Sequence, residues 1–123
     1  MSDYKKYVKL LRGEFIEFQN AVDEKDPKRV CDCCYWLQEY LTEVYNILCG
    51  YINRRTEEGY DEEEDCSEDD VIYAIDLLDE ALTVVDYLSA ICYINTDVSE
   101  ESNNVIKFTQ SAIDAILNIE KGI

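Results

Sequence analysis

The sequence predicts an all-α chain, an antiparallel four-helix bundle with a long acidic loop between its second and third helices. Three observations predict it. Apolar residues recur at alternating steps of four and three in four separate segments. Helix breakers are scarce, with one Pro and four Gly in 123 residues, which favours long helices over a turn-rich β protein. The apolar share of 47% is ordinary for a globular protein, and the length fits a single domain, residues 1–123, around one core.

The first helix is expected over residues 3–24, with Ser2 as its cap and the stripe Tyr4, Val8, Leu11, Phe15, Phe18, Val22 inward. Gly13 lowers local propensity without breaking the pattern. The second spans 27–54. It opens at Asp26-Pro27, a capping residue followed by proline at the first helical position. Its inward stripe is Val30, Cys34, Leu37, Leu41, Val44, Leu48, Tyr51, and Arg54-Arg55 suit a helix C-terminus.

Residues 55–67 carry no periodic apolar face and read as a solvated acidic loop. The third helix spans 68–95, with Glu68, Asp69 and Asp70 at the positive end of its dipole. Its inward stripe is Ala74, Leu78, Ala81, Val85, Leu88, Cys92. The fourth spans 100–121, opening at Ser99 and turning Val105, Phe108, Ala112, Ile116 and Ile119 inward. Short connections at 24–27 and 95–99 favour antiparallel neighbours, and the 4-3 spacing suits left-handed packing.

No stretch approaches the ~20 apolar residues that span a bilayer, and Met1-Ser-Asp-Tyr-Lys-Lys lacks the apolar core of a signal peptide. The chain therefore reads as cytoplasmic. In that setting the six cysteines (Cys31, Cys33, Cys34, Cys49, Cys66, Cys92) read as small apolar packing residues, indifferent to reductant and chelator.

Chemistry is sparse. There is no histidine, which removes the histidine-dependent nucleophile systems, the Glu-x-x-His ligands of di-iron bundles and the histidine signature of helical ribonucleases. No glycine-rich phosphate loop is present, and no spaced carboxylate pair stands out from the acidic background, so no catalytic residue is assigned and the chain reads as non-enzymatic. Cys31-Asp-Cys-Cys34 holds a Cys-x-x-Cys near a helix start but lacks both the βαβ context of a redox site and nearby partners for zinc. Asp61-x-Glu63-x-Asp65 resembles the opening of a calcium loop, yet Cys66 stands where that loop needs Gly and Ile72 where it needs Glu. No cofactor and no metal site is predicted.

The charge map carries more information. Net charge is −17, opposite in sign to what a binder of nucleic acid or of an anionic membrane needs. Residues 1–55 hold nine basic and nine acidic side chains, and residues 107–123 hold two of each. Residues 56–106 hold seventeen acidic side chains and no Lys or Arg, so the whole net charge sits there. At 100° per residue, Glu68, Asp69, Asp76, Asp79, Glu80 and Asp86 fall on the side of the third helix away from its stripe, together with Tyr73, Thr83 and Tyr87. Carboxylates on successive turns stand about 5–6 Å apart, near the spacing of phosphates along a strand. The bland account is a solubilising face.

In size, helicity, tyrosines among carboxylates and the clustered charge of residues 57–86, the chain resembles acidic phage-encoded inhibitors that imitate nucleic acid, the anti-restriction and anti-CRISPR proteins. The resemblance implies an inhibitor that occupies the groove of a basic nucleic-acid-binding protein, such as a host defence nuclease. The expected contact residues are Glu57, Glu58, Tyr60, Asp61, Glu62, Glu63, Glu64, Asp65, Glu68, Asp69, Tyr73, Asp76, Asp79, Glu80, Asp86 and Tyr87. The alternative is a helical adaptor or assembly subunit docking through Tyr35, Trp36, Tyr40 and Ile47, which line a flank of the second helix and its outer side. Ala90-Ile-Cys-Tyr-Ile94 is apolar all round, as burial in the bundle or pairing into a homodimer would each require.

Overall fold

A computed structural model describes residues 2–58, 68–94 and 97–120. It contains four helices in the predicted order, α1 (Ser2–Asp23), α2 (Pro27–Glu58), α3 (Glu68–Ile91) and α4 (Ser99–Glu120), and no strand among the described residues. α1 packs on α2, α2 on α3 and α3 on α4, while α4 returns to α1; among the described residues the backbones of the diagonal pairs, α1–α3 and α2–α4, stand further apart. Three contacts fix the directions. Tyr4, at the start of α1, donates its hydroxyl to the carbonyl of Ile116, near the end of α4, at 3.0 Å. Cys31 in the first turns of α2 is disulfide-bonded to Cys92, just past the end of α3. Asp70 and Tyr73 at the start of α3 share a groove with Ser111 and Asn118 towards the end of α4. The helices therefore alternate up and down around one core, which is built from the predicted stripes.

The turn between α1 and α2 is compact because Lys25 adopts φ 54°, in the left-handed region. Its N–H donates to Val22 O at 3.1 Å and that of Asp26 to Ala21 O at 3.1 Å, the double bond of a Schellman C-cap, with lysine where glycine is usual. Asp26 then caps α2, its carboxylate accepting from Arg29 N at 3.3 Å and its carbonyl from Val30 N at 3.0 Å. Arg29 is held against Glu24 and, at 3.3 Å, Glu17.

Several boundaries depart from expectation. α2 continues to Glu58, so the first residues of the predicted loop are a helical turn, and the rest of that loop, 59–67, lies outside the described residues. α3 stops at Ile91, and Cys92–Ile94 form a turn closed by Ile94 N donating to Ile91 O at 3.0 Å. Ser2 is already helical, and α4 starts at Ser99. The inward position also moves by one residue in places: towards the end of α1 Ala21 is buried and Val22 half-buried, midway along α4 Thr109 is buried and Phe108 half-buried, and towards the end of α2 Tyr51 is half-buried. A 3.6-residue turn drifts against a strict 4-3 repeat, so a phase fixed at one point of a helix slips by one residue further along it.

Candidate partner-binding surface

α3 is positioned by Val71, Ala74, Leu78, Ala81, Val85 and Leu88, all fully buried. That stripe turns the opposite side of the helix to solvent. There Asp69, Asp76, Asp79, Glu80 and Asp86 are exposed, with Tyr73 and Tyr87 61% and 60% accessible between them. Glu68 is half-buried. Among the described residues none of these carboxylates is in an ion pair. Thr83 spends its hydroxyl on Asp79 O at 2.9 Å. Asp76 and Asp79 lie towards α2: the Tyr45 phenol there has a raised pKa, first through Cys49 one turn further along α2, then through burial and these two carboxylates.

Glu57 and Glu58 fall in the last turn of α2 rather than in a loop. Tyr60, Asp61, Glu62, Glu63, Glu64 and Asp65 lie outside the described residues, as does the calcium-like spacing. Sequence periodicity missed a groove of about 430 Å³ between α3 and α4, where Asp70 and Tyr73 meet Ser111, Asp114, Ala115 and Asn118. The signal for it was a polar 3-4 stripe on α4, at 111, 114 and 118, unreadable until α4 was aligned with the start of α3.

The rival flank is also partly exposed. Trp36 is 47% accessible, packs edge-on against Tyr35 at 5.1 Å and stacks on Tyr40 at 5.9 Å with an interplanar angle of 27°. Tyr35 is exposed, whereas Tyr40 and Ile47 are half-buried against the core. At the end of α3, burial does not account for the apolar run. Ile91 is half-buried and Cys92 buried, but Tyr93 and Ile94 are 76% and 78% accessible.

The cysteines divide into two kinds. Cys33 and Cys34 are buried packing residues, as expected. Burial first, then Glu14 for Cys33 and Cys33 for Cys34, pushes both thiols up to about 12, which leaves them protonated and inert at neutral pH. Cys49 is half-buried. The packing reading is corrected at Cys31 and Cys92, which form a disulfide with Cα atoms 5.9 Å apart; antiparallel α2 and α3 bring the start of one to the end of the other. Cys66 lies outside the described residues.

A cavity of about 280 Å³ separates the starts of α2 and α4. The Asp97 carboxylate accepts from Ser99 N at 3.1 Å, and hydrogen bonding to Ser99 holds its pKa below the usual value. The Asp26 carboxylate accepts from Arg29 N at the start of α2, so both helix starts already carry an internal anion. Among the described residues no three metal-ligating side chains converge, and no helix is long and apolar enough to cross a membrane. No protein-family model matches the chain, and no curated protein and no solved structure is similar to it.

Proposed function

We propose that the chain is a non-enzymatic inhibitor that presents the outward face of α3 to a basic nucleic-acid-binding protein, its carboxylates standing in for phosphates. One observation carries this reading: Asp69, Asp76, Asp79, Glu80 and Asp86 form a continuous exposed face, unpaired among the described residues, with Tyr73 and Tyr87 standing between them. A face of this kind fits a groove lined with Lys and Arg. Each carboxylate accepts charge-assisted hydrogen bonds, and each exposed tyrosine ring offers a surface on which a guanidinium can stack. A solubilising role alone gives no reason for tyrosines at these positions. A host defence nuclease is the kind of target implied, and anti-restriction or anti-CRISPR action the kind of outcome.

The experiment is capture of partners by the purified chain at low and high salt, alongside a variant with Asp76→Asn, Asp79→Asn, Glu80→Gln and Asp86→Asn. A basic partner should elute with salt, be displaced by duplex DNA or RNA, and bind the variant at least tenfold more weakly. A partner that holds the variant and the wild type equally, and ignores nucleic acid, would refute the reading. The stacked and accessible Trp36 favours a second reading, an adaptor docking through the aromatic flank of α2. Loss of that partner on Trp36→Ala, with the charge variant unaffected, would select it.

A further inference from the structure

The up-down alternation brings the starts of α2 and α4 to one end of the bundle, on a diagonal wider than the seams between neighbouring helices. The space left between them is the cavity of about 280 Å³. Val22, Val30 and Val98 give it apolar walls. Ser102 lines it too and is only 2% exposed, yet its hydroxyl makes no hydrogen bond among the described residues. The hydroxyl of Thr109, two turns further along α4, is sealed in the core; that of Ser102 is not, and the space it meets is the cavity. A buried hydroxyl without a partner offers both a donor and an acceptor to whatever occupies that space.

Three charged groups stand around the same space. Asp26 and Asp97 each give part of a carboxylate to a main-chain N–H, of Arg29 at 3.3 Å and of Ser99 at 3.1 Å, and keep capacity for further donors. Lys25 faces them from the turn after α1, held at φ 54° where glycine is usual. Among the described residues none of the three is in an ion pair. One lysine against two aspartates leaves the lining at −1, and the two helix starts each add roughly half a positive charge. The balance is therefore close to zero, with both signs present.

We infer that this cavity is a binding site for a zwitterion with a short apolar body, an aliphatic α-amino acid. The ligand's ammonium donates to the carboxylates of Asp26 and Asp97. Its carboxylate accepts from Lys25 Nζ and Ser102 Oγ, and its side chain lies against the three valines. A free anion would meet two carboxylates already in place, and a plain amine would leave Lys25 opposed and Ser102 unused. A cavity of about 150 Å³ holds benzene, so the larger space here takes the roughly nine heavy atoms of leucine. None of the lining residues belongs to α3, so the inference stands whether or not a basic partner exists.

Isothermal titration calorimetry of the purified chain with L-leucine tests it. Leucine should bind one to one with a Kd on the order of 0.1 mM. Isoamylamine, which lacks the carboxylate, and 4-methylpentanoate, which lacks the ammonium, should each bind at least about tenfold more weakly. Ser102→Ala, Lys25→Gly and Asp97→Asn should each weaken leucine binding by about tenfold as well. The asparagine still caps α4, and the glycine suits its turn, so thermal melts should show all three variants folded; should one unfold, the other two carry the same reading. No heat with leucine at millimolar concentration would overturn the inference. So would equal binding of leucine by the wild type and the folded variants, or binding of either analogue as tight as that of leucine.

Discussion

Cys31 and Cys92 are joined across 61 residues of sequence, fastening the first turns of α2 to the segment that leaves α3. The bond closes a loop that contains most of α2, all of α3 and the most acidic stretch of the chain. Cross-linking so long a loop removes entropy from the unfolded chain worth on the order of 4 kcal/mol. Reduction, or Cys31→Ser with Cys92→Ser, should therefore lower the urea midpoint substantially without changing helical content at low denaturant. Equal midpoints with and without reductant would mean that the two sulfurs are thiols in solution, a point that mass spectrometry after alkylation settles directly.

Two backbone positions invite opposite substitutions. Lys25 holds a left-handed conformation that costs a residue with a Cβ about 1 kcal/mol. Lys25→Gly should raise stability by about that amount, since the Schellman bonds it makes are main-chain. Gly13 is the reverse case, in mid-α1 with nothing within 4 Å of the space a Cβ would fill, and Gly13→Ala should add about 1 kcal/mol of helix propensity. Thermal melts of the two variants and their combination check both values, and sites this well separated should add.

The hydroxyl of Thr109 is fully buried on α4 without a hydrogen-bond partner among the described residues. An orphaned buried hydroxyl costs about 1–3 kcal/mol, and valine has almost the same shape. Thr109→Val should stabilise the fold by about 1 kcal/mol in denaturant titrations. A loss of stability would mean that the hydroxyl is satisfied in solution.

Alkali should weaken the fold through Cys33 and Cys34. Unfolded thiols ionise near 9.0, while these two hold their protons to about 12 in the bundle because burial disfavours the thiolate. Over that window the folded chain binds more protons than the unfolded one, so stability is intact below it and falls as pH rises through it. Urea midpoints measured across the range should decline more steeply for the wild type than for a Cys33→Ala, Cys34→Ala variant. Parallel slopes would remove the two thiols as the cause.

Glu14 gives a milder effect on the acid side. Burial chiefly, with some help from Glu17 and against its bond from Cys33, raises its pKa above the ordinary glutamate value. The folded state then holds this proton more tightly, so its contribution favours folding at acid pH and is lost as pH rises through the raised value. Glu14→Gln should flatten the wild-type change in midpoint between acid and neutral pH, and identical pH profiles for the two proteins would rule this out.

The four stripes of apolar residues carried the fold in the sequence, because the period of burial along a helix is set by backbone geometry alone. The tyrosine and carboxylate face of α3 was readable for the same reason: once Ala74, Leu78 and Val85 point inward, Asp76, Glu80 and Tyr87 have only outward to go. What stayed hidden required the alignment of one helix against another. Asp70 and Asp114 lie 44 positions apart and share a groove only because α3 and α4 pack with that particular offset. Cys31 and Cys92 looked like packing residues for the same reason, and the extra turn of α2 to Glu58 runs through a stretch with no apolar period to announce it.

The hydrogen bond from Tyr4 to Ile116 acts as a clasp. Around the ring of helices three seams are broad, and the fourth, between α1 and α4, is the shallowest. It joins the two helices at the ends of the sequence, with no connecting loop to hold it and no disulfide across it. The bundle is thus a book with its spine along α2 and α3, which the disulfide stitches, and its opening edge where α1 meets α4. Motions that part this edge leave both hairpins whole, so amides along α1 and α4 should exchange with solvent through a smaller opening than those of the spine. Tyr4 fastens one end of this edge. Its loss would expose Leu11 and Ile116 to water in an otherwise folded molecule, and would offer α1 to a neighbouring copy as an exchangeable arm.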